Sequence, residues 1–106
     1  MGNFYRYVFR VFSKNEFLKF KCSKKFEGNQ FDIDSGFIHL STMSQLEGTV
    51  EKYFKNEREL SIVKFKTKDL ESFLRWEKSR DSDLFPHFYG VLKFEWVKNV
   101  KKRLNL

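Results

Sequence analysis

The sequence predicts a small α+β domain in which short helices pack on a mixed or antiparallel sheet. Segments with strand periodicity and segments with helical periodicity follow one another without the regular alternation of a parallel α/β fold. Two capping boxes mark helix starts, and 106 residues are enough for one hydrophobic core but not for two. Because aromatic residues make up 19% of the chain, flat side chains are expected to fill that core. Residues 1–106 are therefore predicted to form a single domain.

The first predicted strand covers residues 4–12, where aromatic and β-branched residues alternate with polar ones. Ser13 and Glu16 have the spacing of a capping box, which predicts a helix that starts there and ends near Ser23. The residues expected to form the buried stripe of this helix are Phe17, Leu18 and Cys22.

Residues 28–36 are rich in Asn, Asp, Ser and Gly, a composition that predicts a connecting loop. The loop leads into a second strand at residues 37–40. Thr42 and Gln45 form another capping box, so a second helix is predicted to start directly after this strand.

The C-terminal half continues the mixture of strands and helices. Residues 60–66 alternate as a strand, and Thr67 is placed to cap a short helix. Residues 91–100 are predicted to form one bent strand or two short strands, and the basic tail at residues 101–103 is expected to fray.

Composition limits the partners and the compartment. Lysine and arginine number 21 against 14 aspartates and glutamates, and the resulting net charge of +7 favours phosphates, nucleotides or nucleic acid as partners. The single cysteine, Cys22, excludes an internal disulfide and fits a reducing compartment. We expect a cytoplasmic protein with no membrane partner, because no apolar segment reaches bilayer length and no signal-peptide pattern is present.

Both histidines of the chain lie in apolar surroundings. His39 and Ser41 alternate onto one face of the second strand, which leads directly into the helix that starts at Thr42 and Gln45. The main-chain N–H groups at a helix start are unpaired and suit phosphate or carboxylate oxygens. His87 follows a proline that holds the backbone extended. We expect the two imidazoles to face a common hollow, although a buried histidine that only satisfies its own hydrogen bonds is the alternative.

A second polar cluster surrounds Trp76. Arg75, Glu77 and Arg80 either form a surface ion-pair network or bind an anionic ligand through guanidinium groups, and the sequence favours neither interpretation. No metal is predicted, because the two histidines lack the close His or Cys pairs typical of zinc sites. A Gly-x-Ser-x-Gly nucleophile elbow is also absent from the sequence.

Several segments together carry a family resemblance. They are residues 34–42, Gln45, Thr49, Phe54, residues 74–80 and residues 84–90. These segments closely resemble the family called domain of unknown function 952, and the resemblance extends over nearly the whole chain. Two turns depart from the family pattern, since Asp81-Ser82 stands in place of a glycine pair and Val91 in place of a proline.

The resemblance implies an ADP-ribosyltransferase-like fold, in which a split sheet grips NAD between its halves. The step from His39 to Ser41 looks like the His-x-Ser step of RNA 2'-phosphotransferases, which use the same fold and dinucleotide. Arg6 stands where many such enzymes have a histidine, and His87 stands near the position where many have a glutamate.

The resemblance also implies roles for individual residues. Glu77 is the candidate carboxylate beside the reacting ribose carbon, His39 and Ser41 would fix ribose hydroxyls, and His87 would orient or polarise the acceptor. The residues predicted to bind phosphates or other parts of the ligand are Arg6, Thr42, Gln45, Arg75, Arg80 and Tyr89.

Three functions remain open from the sequence. The first is an NAD-consuming or nucleotide-binding transferase with an unknown acceptor. The second is a non-catalytic module that binds a nucleotide. The third is a protein that binds RNA or processes a 2'-phosphate on it.

Overall fold

The computed structural model describes residues 5–79 and 82–105 as a mixture of short helices and antiparallel strands. In chain order the elements are β1 (Tyr7–Ser13), α1 (Lys14–Ser23), β2 (Lys25–Phe26), α2 (Gln30–Ser35), β3 (Ile38–His39), a 3-10 turn (Met43–Gln45), α3 (Leu46–Tyr53), β4 (Glu59–Lys66), α4 (Thr67–Leu70), a 3-10 turn (Glu71–Phe73), β5 (Leu74–Lys78), β6 (Leu84–Phe88), β7 (Leu92–Lys93), a 3-10 turn (Phe94–Trp96) and β8 (Val97–Leu104). This arrangement confirms the predicted α+β class.

The described strands form three antiparallel sheets. One has the order β1-β4-β8, another has the order β3-β6-β5, and β2 pairs with β7. An isolated bridge between Phe9 and Ser41 joins the two larger sheets, with hydrogen bonds of 2.8 Å in both directions between their main chains. The two larger sheets therefore meet beside the end of β3.

Aromatic side chains fill the core, as the composition predicts. Phe12 of β1 stacks on Phe20 of α1 at 5.2 Å between ring centroids and meets Phe26 of β2 edge-on at 4.9 Å. The core lies under α1, and a smaller buried cluster around Phe9 and Val50 lies between β1 and α3.

The first helix has the predicted ends but not the predicted buried face. Ser13 and Glu16 form the capping box, and Lys24 ends the helix in the left-handed conformation with φ of 70°. Of the expected stripe, Phe17 is buried, whereas Leu18 and Cys22 are exposed, so that part of the prediction was wrong. Phe20, three residues after Phe17, takes the second buried position.

Residues 28–36 were predicted to form a loop, but they contain the helix α2, so this prediction was wrong. Asn29 and Asp32 form a capping box at its start, and Gly36 ends it with φ of 90°. Asn, Asp and Gly favour helix ends as well as loops, so composition alone could not separate the two.

The basic tail at residues 101–103 was predicted to fray, and this prediction was also wrong. Residues 101–103 belong to β8 and pair with β4, and they do not fray. Arg103 forms a two-pronged salt bridge with Glu47 of α3, which ties the last strand to the helix. Within the described ranges no helix is long and apolar enough to cross a bilayer.

Candidate functional site

One face of the β3-β6-β5 sheet carries polar side chains. They are His39, Arg75, Glu77, His87 and Tyr89. His39 and Arg75 lie on either side of His87 in the strand register, and directly paired residues of antiparallel strands point to the same face. The other face carries Ile38 and Phe88, which are part of the hydrophobic core. The sheet thus separates the core from a polar surface.

His39 is held by a buried ion pair. Asp32 of α2 is only 1% exposed, and its Oδ1 lies 2.7 Å from His39 Nδ1 and 2.9 Å from Arg10 Nη1. The main-chain N–H groups of His39 and Asn29 donate to the same carboxylate. Burial raises the pKa of Asp32, but the hydrogen bond with His39 and the charge of Arg10 outweigh burial and lower it from 3.8 to about 2. The ionised carboxylate can only accept, so His39 Nδ1 carries a proton.

His87 is held by a second carboxylate in the same manner. Glu77 Oε1 lies 2.8 Å from His87 Nδ1 and also accepts a hydrogen bond of 2.7 Å from the hydroxyl of Tyr89. The hydrogen bond from Tyr89 is the largest influence that lowers the pKa of Glu77, followed by the one with His87. Burial lowers the pKa of His87 itself below 6.5, because the attraction of Glu77 is weaker than the loss of hydration. His87 is therefore neutral at pH 7, with its proton on Nδ1.

The two rings lie close together, as expected from the sequence. Their centroids are 5.8 Å apart, and Phe37 stacks on His87 at 3.9 Å while Phe31 stacks on His39 at 4.3 Å. Since a carboxylate holds each Nδ1, Nε2 is the nitrogen of each ring that remains for a ligand. Nε2 of His87 is buried and has no hydrogen-bond partner within the described chain.

A cavity of about 220 Å³ lies between the two larger sheets, and the rings of His39 and His87 both line it. The lining residues that matter for its chemistry are Arg10, Phe31, His39, Ser41, Tyr53 and His87. Among the described residues that line it, the carboxylates of Glu16, Asp32 and Glu57 outnumber the single guanidinium of Arg10. These three carboxylates and one guanidinium give the described acidic and basic side chains of the lining a net charge of −2.

Several predicted site residues come together around this cavity. His39, Ser41 and His87 line it directly. Glu77 and Tyr89 do not line it, but they hold His87 through the hydrogen-bond network described above. Arg75 lies with its guanidinium 4.9 Å from the centre of the Tyr89 ring and therefore supports the same network from the side.

Other predicted binding residues lie elsewhere. Arg6 lines a separate groove beside Trp76. Thr42 is buried, and the amide of Gln45 caps the main-chain N–H of Thr42 with its oxygen and donates to the carbonyl of Leu84 with its nitrogen. The helix start is therefore closed by its own capping box and does not open into the cavity. Arg80 lies outside the described residues.

Arg10 and Asp32 are among the site residues that the sequence did not predict, together with Glu16, Phe31, Tyr53 and Glu57. The alternation of β1 placed Arg10 among its polar positions, yet nothing in the sequence showed that this guanidinium would be buried at 4% exposure. Asp32 carried a local signal, because it completes the capping box with Asn29. Among the described residues, no group of three or more His, Cys, Asp or Glu side chains could hold a metal ion.

The buried, neutral state of His87 predicts a loss of stability in mild acid. Since its folded pKa lies below the unfolded value of 6.5, the unfolded chain binds the proton first, and stability present above pH 6.5 falls as the pH drops toward the folded pKa. The expected slope is at most about 1.4 kcal/mol per pH unit. Urea unfolding at pH 7.5, 6.5 and 5.5 measures it. His87→Asn, which keeps a donor for Glu77, is expected to show a shallower slope, and equal slopes would contradict the assignment.

Comparisons with known proteins place this geometry in a family. Residues 11–100 match the family described as "Protein of unknown function (DUF952)". The crystal structure of protein CC0527 from Caulobacter crescentus is similar over 91% of this chain and 84% of that chain, at 31% identity and a TM-score of 0.86. A crystal structure of a double mutant of CC0527 gives 30% identity and a TM-score of 0.85 over the same shares of the two chains. The solution structure of CC0527 gives 31% identity and a TM-score of 0.80, over 91% of this chain and 83% of that chain. No curated protein matches the chain.

Proposed function

The chain belongs to the DUF952 family, which is described only as of unknown function, and from its site we propose that the cavity binds the nicotinamide riboside portion of NAD for an ADP-ribosyltransferase-like reaction. The ligand class is the one that the resemblance implies, NAD, and the proposal assigns only its nicotinamide end to the cavity.

The arrangement of the sheets supports the proposed fold type. Two three-stranded sheets meet at the bridge between Phe9 and Ser41, and the cavity lies between them. A ligand gripped between the halves of a split sheet would occupy this same position.

The observation that carries the proposal is the unpartnered Nε2 of His87. Buried polar atoms in folded proteins almost always have a hydrogen-bond partner, so an orphaned acceptor in the wall of a cavity marks a place for a ligand donor. A ribose or acceptor hydroxyl is such a donor. His39, whose ring centre lies 5.8 Å away, offers a second imidazole to the same ligand.

The size of the cavity limits how much of the ligand it can enclose. Pockets that bury a whole drug-sized ligand have volumes of roughly 300–1,000 Å³. At about 220 Å³, this cavity fits one ring and its sugar, and the rest of a dinucleotide would lie outside. Phe31 and Tyr53, whose ring centroids are 5.0 Å apart, are partly exposed beside it and offer flat surfaces to the ring.

The charge of the lining favours one end of the dinucleotide over the other. The net charge of −2 on the described acidic and basic side chains of the lining disfavours the pyrophosphate and favours the cationic nicotinamide ring. The helix start after Thr42 is therefore not assigned to phosphates, because Thr42 and Gln45 are not among the described residues that line the cavity.

The reaction proposed for NAD is transfer of its ADP-ribosyl group to an acceptor hydroxyl. The bond between the ribose carbon and nicotinamide breaks, and its electron pair goes to the cationic ring, which leaves as neutral nicotinamide. The neutral His87 holds the acceptor hydroxyl at Nε2 and takes its proton as the new bond forms. Glu77 does not line the cavity, so we revise its role from a carboxylate beside ribose to a positioning residue that fixes the ring of His87. Glu16 and Glu57 supply negative charge facing the ribose and the ring.

Ligand-induced stabilisation tests the binding step. We expect NAD and nicotinamide riboside to raise the Tm of the protein, and neutral NADH to raise it less, because only the oxidised ring is cationic. His39→Asn keeps a donor for Asp32 but removes Nε2, and it is expected to weaken binding about tenfold. Nicotinamide release, followed by chromatography, measures turnover in the same samples.

The matched controls lie on α2. Phe31→Ala removes the ring that stacks on His39 and is expected to weaken binding, whereas Ile33→Ala removes a more exposed apolar side chain from the same helix without touching the cavity. Stabilisation without nicotinamide release would support a non-catalytic nucleotide-binding module in place of a transferase. If neither NAD nor nicotinamide riboside raises the Tm, the proposal is wrong.

A further inference from the structure

A second groove, formed around Tyr5 and Trp76, has a different character from the cavity. The two rings stack with their centroids 5.3 Å apart and their planes within 18°. Tyr5 is 50% exposed, so the stacked pair presents aromatic surface to solvent. The groove has a volume of about 620 Å³ and shares no described lining residue with the cavity. We call it the Tyr5–Trp76 groove.

Positive charge lines this groove. Among the described residues that line it, Arg6, Lys66 and Lys68 stand against one carboxylate, Glu71, which gives +2 compared with −2 in the cavity. In the part of the chain that the structure describes, the three cations take part in none of the salt bridges. Their charge is therefore available to an anionic partner.

The basic surface continues along the adjoining strands. Lys66 is paired with Tyr7 in the β1–β4 register, and Lys64, two residues earlier on β4, lies with its ammonium 4.5 Å from the centre of the Tyr7 ring. Arg6 lies 5.9 Å from the same ring. Basic side chains and an aromatic ring thus continue from the groove along β1 and β4.

We propose that the Tyr5–Trp76 groove binds single-stranded nucleic acid, with a base stacked on Tyr5 and the sugar-phosphate backbone along Arg6, Lys66 and Lys68. Sites for single strands combine basic grooves that follow the backbone with aromatic side chains on which bases stack. A duplex offers its phosphates to the basic side chains, but its bases are stacked on one another and cannot stack on Tyr5. We therefore expect a duplex to bind more weakly than a single strand.

The groove lies on the opposite side of its sheet from the imidazoles. Trp76 alternates with Arg75 and Glu77 along β5, and it packs against the hydrophobic core from the other face. Nucleic-acid binding is therefore independent of the nicotinamide site, and each proposal can fail without the other.

Fluorescence anisotropy with labelled single-stranded oligonucleotides, one of uridines and one of thymidines, tests the proposal across a series of salt concentrations. We expect Tyr5→Ala to weaken binding about tenfold and Tyr5→Phe, which keeps the stacking ring, to bind as the wild type does. Replacing Lys66 and Lys68 by alanine is expected to lower the slope of log affinity against log salt by roughly 0.7 for each lysine. A comparison of the two oligonucleotides shows whether the 2'-hydroxyl is read.

Lys19 and Lys21 supply the matched control, because both are exposed on α1 and lie outside the groove. Replacing both by alanine removes the same charge and is expected to change affinity less than replacing Lys66 and Lys68. An equal loss would show diffuse attraction to the net charge of +7 and overturn the proposal. Unchanged binding in Tyr5→Ala or the absence of binding would also overturn the proposal. So would an affinity for a duplex equal to that for the single strand, or an acidic peptide that competes as well as the oligonucleotide.

Discussion

Asp32→Ala is expected to destabilise the protein by about 3–5 kcal/mol, the range found when one partner of a buried ion pair is removed. The substitution leaves the guanidinium of Arg10 at 4% exposure without its carboxylate. It also removes the acceptor for the main-chain N–H groups of Asn29 and His39, and the lost bond from Asn29 is one half of the capping box that starts α2. Urea unfolding followed by circular dichroism at pH 7 measures the change.

Asp34→Ala is the matched control for this substitution. Asp34 lies on the same helix, is exposed, and bonds only to the side chain of Gln30 among the contacts given by the structure. Its loss is expected to cost less than about 0.5 kcal/mol. Similar losses for the two aspartates would contradict the buried network. Asp32→Asn separates charge from shape, because the amide keeps one acceptor oxygen and loses the negative charge that balances Arg10.

The same carboxylate predicts how the wild type responds to strong acid. Its folded pKa of about 2 lies below the ordinary value of 3.8, so its contribution is complete above pH 3.8 and is lost as the pH falls toward 2. The shift corresponds to roughly 2 kcal/mol. This window is separate from that of His87, which lies at and below pH 6.5.

Local sequence signals predicted most of the elements and half of the site. The capping boxes at Ser13 and Thr42 located two helix starts, because a cap depends on residues within one turn of each other. Alternation in β3 predicts His39 on one face of its strand, and the proline before His87 predicts extended backbone there. The sequence predicts that the two rings, 48 residues apart, face a common hollow, and the structure adds that His39 and His87 are paired across β3 and β6.

The remainder of the site depends on contacts between distant segments. Arg10 and Asp32 are 22 residues apart and meet only because α2 packs over β1. The missed helix α2 was therefore the main loss, since it carries both Asp32 and Phe31. Arg6 was predicted for the ligand site from its position in the first strand, but its side chain lines the groove beside Trp76. Alternation fixes the face of a strand on which a residue lies, but not what packs against that face.

His87→Asn is expected to lower the rate of nicotinamide release by about 10²–10⁴-fold, the usual contribution of a general base. Asparagine can still donate to Glu77 from the position of Nδ1, so the fold around Tyr89 is preserved while Nε2 is removed. Single-turnover release at saturating NAD separates this effect from binding. If release continues at the wild-type rate in a variant that still binds NAD, His87 is not the base.

Glu77→Gln tests the positioning role of the carboxylate through the pH dependence of the same rate. The charge of Glu77 raises the pKa of His87 and so opposes the larger effect of burial. Removing that charge lowers the pKa further, and because the base acts in its neutral form, the acid limb of the rate profile is expected to move to lower pH. Glutamine keeps an oxygen that can accept from Nδ1, so a loss of rate without a shift of the acid limb would indicate a purely structural role for Glu77.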